Sequence, residues 1–166
     1  WDTRAGHEND FYFVTTDRFN SGTQQGNSRL YRMRFDDISN PEAGGEISLL
    51  LDGRVSGPQM MDNLCIDSHG RILIQEDIGS NAQLGKLWLY DTSSEGLALL
   101  AEHDPARFLT GAPGFLTIDE ESSGIIDARD TLGDGWFLLD VQAHYAISGE
   151  LVEGGQMLAM YVDPAV

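Results

Sequence analysis

Apolar positions along this chain fall in short runs, with no stretch that sustains a helical period. The runs cover residues 10–17, 29–36, 46–52, 63–67, 71–76, 86–91, 97–103, 122–127, 136–143 and 156–162. They are rich in Ile, Leu, Val, Phe, Tyr and Trp, and clusters of Gly, Asn, Asp and Ser bound them. Segments of this length and content predict strands joined by turns. The run 29–36 alternates polar and apolar residues, so one of its faces is buried and the other wet. The stretch 61–104 holds four runs separated by the turn signals Asp67-Ser68-His69-Gly70, Ile78-Gly79-Ser80-Asn81 and Thr92-Ser93-Ser94-Glu95-Gly96. Four strands in one antiparallel meander are the unit of a β-propeller blade.

The rest of the chain repeats or flanks that unit. Arg29-Leu30-Tyr31-Arg32-Met33 resembles Lys86-Leu87-Trp88-Leu89-Tyr90 and Gln156-Met157-Leu158-Ala159-Met160. Such spacing suits loop-decorated repeats. The expected architecture is all-β, a partial propeller of two to three four-stranded blades over 9–53, 61–104 and 120–166. The first unit lacks an innermost strand within the chain, and the third lacks an outermost one. Residues 18–28 form a polar loop. A helical turn over 104–109 is capped by Asp104, with Pro105 at its first position. Unpaired sheet edges are a liability. Further protein chains, or further polypeptide, are therefore expected to complete the ring.

Composition narrows the class. The 27 acidic residues outnumber 10 basic ones, for a net charge of −17, and Lys86 is the lone lysine. That charge repels nucleic acid and anionic membrane surfaces and suits cation binding or solubility in salty water. One cysteine, Cys65, excludes an internal disulfide, and its apolar strand predicts an inert buried thiol. No apolar run reaches membrane-spanning length. Gly79 to Gly85-Lys86 has the wrong spacing for a phosphate loop, and Ser122-Ser123-Gly124 is not a nucleophile elbow.

Several stretches together resemble the PhoX-type bacterial phosphatase family of secreted β-propellers. They are 9–16, 29–37, Asp62-Asn63-Leu64 with Gln75-Glu76-Asp77, and above all 120–127 followed by 138–144. The likeness spans the C-terminal half of a typical member. It implies a six-bladed ring, a secreted or periplasmic location, small phosphate esters as substrates, and calcium and iron as cofactors. It also implies an upstream half that carries part of the metal site, including a Cys ligand; Cys65 is misplaced for that role.

Hard cations take several oxygen ligands. Carboxylates and amides at strand ends are therefore the candidate metal ligands: Asn63, Glu76, Asp77, Glu120, Glu121 and Asp140. The competing role for each is to close a turn or face solvent. His144, after Asp140 on the same run, is the candidate proton donor to a leaving group. His69 and His103 read as structural, and Arg71 as a surface residue. Three functions follow: a calcium-dependent phosphoesterase, a non-catalytic calcium-stabilised propeller piece, or, by fold analogy alone, a calcium-dependent lactonase.

Overall fold

The computed structural model describes residues 1–17 and 28–165. The loop expected over 18–28 therefore lies outside the described residues, apart from Ser28. Among the described residues ten strands form three antiparallel sheets, none closed on itself. The first sheet holds β1 (Asp10–Thr15), β2 (Arg29–Phe35) and β3 (Gly45–Asp52). The second holds β4 (Met61–Ile66), β5 (Arg71–Glu76), β6 (Lys86–Asp91) and β7 (Leu97–Glu102). The third holds β8 (Glu120–Asp127), β9 (Trp136–Ala146) and β10 (Glu153–Tyr161). Within each sheet every strand pairs with the next in sequence.

The three expected units are thus three sheets, but among the described residues only the middle one has four strands. Strand boundaries also differ. β8 starts at Glu120 because Glu120 and Glu121 pair with Ala143 and Gln142. Polar residues at a strand's start leave no apolar signal to read. The polar excursion after 127 contains a helical turn at Arg129–Leu132. The turn Pro105–Phe108 stands where expected, with the Asp104 carboxylate accepting from the Ala106 N–H at 2.8 Å.

The sheets stack face to face. Tyr12, Leu30 and Leu51 of the first sheet pack on Met61, Ile72, Ile74 and Tyr90 of the second. Leu73, Leu87 and Leu89, on the opposite face of the second sheet, pack on Phe137 and Leu139 of the third. β5 is consequently buried at all six positions. Each fully buried Ile or Leu contributes about 1.5–3 kcal/mol. Strand β5 also buries Arg71, whose Nε donates to Asp67 at 2.8 Å and whose Nη1 donates to the Asp163 carbonyl at 2.6 Å. The surface role expected of Arg71 is corrected accordingly: a buried guanidinium is tolerated because carboxylate and carbonyl oxygens meet it. Gly70, in the β4–β5 turn, has φ +84°, and the Arg4 guanidinium lies where its Cβ would project. Glycine is required there for both reasons.

Strand β4 packs against β8, and β1 against β4. The start of one sheet therefore lies beside the start of the next. An isolated antiparallel bridge between Asp77 and Glu121 ties the end of β5 to the head of β8.

Candidate functional site

The Asp77–Glu121 bridge brings two of the expected site residues together. Each residue continues a strand by one position or opens one, so the backbone pairing sets two carboxyls side by side. The Glu121 carboxyl is raised above its ordinary value, first by burial and further by the Asp77 carboxyl next to it. Ser123 partly offsets this, its Oγ donating to Glu121 at 2.6 Å. Asp77 also accepts from the Gly79 N–H at 3.0 Å. Two close carboxyls with this bias hold either a shared proton or a cation.

Polar groups continue across the outer face of the third sheet. Ser123 Oγ lies 3.4 Å from Gln142 Oε1, and Gln142 Nε2 lies 3.1 Å from His144 Nε2. His144 Nδ1 lies 2.5 Å from Glu153 Oε2. The tautomer with a proton on Nδ1 satisfies both contacts: Nδ1–H donates to Glu153, and Nε2 accepts from the Gln142 amide. His144 is held above the ordinary imidazole range, first by the Glu153 hydrogen bond, then by the charges of Glu153, Asp119 and Glu121. A histidine oriented by a carboxylate is the form a general acid or base takes. Asp140 shares this face, and its carboxylate fills the space that a Cβ on Gly124 would need.

Three expected ligands turn elsewhere. Glu76 enters the space between the first two sheets, where its Oε1 accepts from the Gln59 N–H at 2.7 Å and from Trp88 Nε1 at 2.8 Å. Burial raises its pKa to about 7. Glu120 enters the space between the second and third sheets, accepts from the Gly85 N–H at 3.3 Å, and is raised to about 6 by burial. The second oxygen of each carboxyl meets no donor. Asn63 pairs with Gln75 across β4–β5, and its amide donates to Asp62 at 2.9 Å. The chain therefore brings Asp77, Glu121 and His144 near the head of β8, with Asp140 further along the same face of β9, while Glu76 and Glu120 go to two different interlayers and Asn63 pairs with Asp62.

Sequence reasoning missed Asp119, Ser123, Gln142 and Glu153. The period of two, Glu121 with Ser123 and Gln142 with His144, could have found two of them. Nothing local marks Glu153, which reaches His144 only through the β9–β10 pairing.

A second acidic cluster, Asp2 with His7 and Asp10, places its ligand atoms within 4.8 Å of one another. Cations already occupy it. Arg4 grips Asp2 at 3.0 and 2.6 Å, and Arg34 grips Asp10 at 2.6 Å through both nitrogens. Burial is the largest single effect and raises both carboxylates, but the arginine hydrogen bonds and charges, together with His7, outweigh it and hold both below the usual range. A metal would have to displace an arginine from each carboxylate. This cluster is read as a clamp fastening the N-terminal segment to the first sheet.

A groove of about 690 Å³ lies between β7 and β10, lined by Leu87, His103, Phe108, Ser122, Val141 and Leu158 among others. Burial lowers the pKa of His103, which packs edge-on to Phe108 at 5.5 Å. Cys65 is half-buried with its thiol pushed up to about 11 by burial, which leaves it protonated and inert at neutral pH. No helix among the described residues is long and apolar enough to cross a membrane. Comparison of the chain with protein-family models and with curated proteins finds no match.

Proposed function

We propose that this chain is part of a calcium-binding β-propeller and supplies the carboxylate side of a site that hydrolyses phosphate esters outside the cytoplasm. The observation that carries the reading is the Asp77–Glu121 junction, where two successive sheets each bring a carboxyl to the same point. A propeller uses such junctions because strand ends of neighbouring blades converge on its axis. Support for the propeller comes from the face-to-face stacking of three meanders and from the contacts of β4 with its neighbours β1 and β8. Support for the chemistry comes from the residue types and from the PhoX-type resemblance.

In this reading Asp77 and Glu121 ligate calcium, with Asp140 and backbone oxygens as further donors. A calcium ion held by these residues would supply charge neutralisation to the phosphate of a monoester. Water would attack the phosphorus as the ester P–O bond breaks, and His144 in its imidazolium form, oriented by Glu153, would give its Nε2 proton to the departing oxygen. Other protein, from further polypeptide or other chains, supplies the remaining ligands. Sites as open as this suit the weak calcium affinities of extracellular modules.

Calorimetric titration with calcium, followed by turnover of an alkyl phosphate such as glycerol phosphate with and without chelator, tests the proposal. Calcium binding should weaken at least tenfold, about 1.4 kcal/mol, in Asp77→Asn and in Glu121→Gln. His144→Gln should keep calcium and lose turnover. Calcium heat without turnover would leave a structural cation and remove the catalytic claim. No calcium heat in the wild-type protein would remove both.

A further inference from the structure

The three sheets share more than a sequence motif: the aligned residues face the same way in each. Leu30 of β2 turns toward the second sheet and is fully buried, and Leu87 and Leu89 of β6 turn toward the third at 3% and 7% exposure. Their counterpart in β10, Met157, turns away from the second sheet and is 77% exposed. In the opposite direction, Trp88 and Tyr90 of β6 pack toward the first sheet, and Met160 of β10 packs toward the second. Their counterparts in β2, Tyr31 and Met33, face away from the second sheet.

Each end of the stack therefore presents the half of an interlayer contact that the other end lacks. On the first sheet the open face carries an aromatic ladder: Trp1 lies 4.9 Å from Phe11, and Phe13 lies 5.3 Å from Tyr31. Ile47 and Leu49 flank it at 60% and 51% exposure. On the third sheet the open face carries Ile126, Met157 and Tyr161, exposed at 59%, 77% and 53%. Exposed apolar patches of this kind mark protein contacts, and on the third sheet the patch borders the polar row of Glu121, Asp140, Gln142 and His144.

We propose that a second copy of this chain continues the stack, its first sheet seated on the third sheet of its partner. This deepens the partner requirement of the propeller reading above and rests on it. The contact repeats the packing already made twice inside the chain, so its side-chain complementarity is built in. Two copies of three sheets make six, within the range of about four to eight at which such rings close. The return contact then forms by symmetry, a heterologous interface that closes on itself. A three-stranded face of strands about 4.8 Å apart and about eight residues long presents several hundred Å², so two such contacts hide roughly 1,500 Å², the size of a stable specific interface. The closed pair also covers the third-sheet face that carries Glu121, Gln142 and His144. Like charge on the two copies opposes pairing, and salt screens it beyond about 8 Å at physiological strength.

Sedimentation velocity of the wild-type chain and two variants in 0.15 M salt (about physiological strength) tests this. Leu49→Lys blocks the first-sheet face and Met157→Lys the third-sheet face, and both reduce the net negative charge. Circular dichroism and thermal melting of each variant check that these exposed positions leave the fold intact. The wild type should sediment at twice the 18.2 kDa chain mass, and each variant alone as a monomer. A mixture of the two variants should pair again, but only at higher concentration than the wild type needs, because the mixed pair keeps one intact contact in place of two. A dimer that persists in either variant alone means like-to-like pairing and overturns the proposal. So do a wild-type monomer at the highest soluble concentration and open-ended polymers. Calcium titration of that monomer judges the site reading separately, so the two can fail independently.

Discussion

Glu76 offers the sharpest test of the packing described above. It ends β5 at 1% exposure, between two sheets. One oxygen accepts two hydrogen bonds, from Gln59 N–H and Trp88 Nε1, and the other meets no donor. Burial moves its pKa from 4.5 to about 7. An acid raised by folding binds its proton more tightly in the folded state. Its contribution to stability is therefore fully present below the unfolded value, near pH 4.5, and is lost as pH rises toward 7. A gap of about 2.5 pKa units corresponds to roughly 3 kcal/mol at full ionisation.

Glu76→Gln keeps the shape and the accepting oxygen and removes the charge. At pH 5 the variant should match the wild type or fall about 1 kcal/mol below it, because the new amide N–H₂ lacks an acceptor. At pH 8 it should be more stable by about 1–2 kcal/mol, the ionisation penalty less that amide cost. Urea denaturation at pH 5, 6, 7 and 8 measures both limbs. Parallel pH profiles for wild type and variant would refute the claim that Glu76 is enclosed and charge-strained. A larger loss at pH 8 than at pH 5 would show that the carboxylate charge is doing useful work that the packing does not reveal.

Two further outcomes follow from other sites. Asp67→Ala strands Arg71, since Asp67 accepts from Arg71 Nε at 2.8 Å and from the backbone of His69 and Arg71 at 2.9 Å each. Both side chains are 3% exposed, so the loss should be about 3–5 kcal/mol by urea denaturation, with Asp67→Asn milder. An effect below about 1 kcal/mol would mean that water reaches the guanidinium. Glu153→Gln should lower the His144 pKa toward the ordinary imidazole value, followed by NMR titration of the ring protons. An unchanged titration would mean that the Glu153 contact does not orient the ring.

Period-two patterning and turn residues sufficed for the strand inventory, because both act over a few neighbours. All ten runs are strands, the middle meander has its four, and the Asp104 cap is where Pro105 places it. The aligned motif at 29–33, 86–90 and 156–160 even carried which side chains share a face. Strand ends at Glu120 and Glu153 were hidden, since polar residues there pair through backbone and not through apolar side chains.

For the site, sequence marked the residue types, and tertiary structure chose among them. Glu76-Asp77 and Glu120-Glu121 are adjacent acidic pairs, and alternation along a strand guarantees that the members of each pair point to opposite faces. Which member meets its counterpart depends on how the sheets stack, a long-range matter. Stacking gave the meeting point to Asp77 and Glu121 and buried Glu76 and Glu120 in separate interlayers. It likewise turned Arg71 from an expected surface residue into a buried ion pair, because β5 is covered on both sides. Local chemistry wrote the strands; the distribution of buried charge was decided only when three sheets closed over one another.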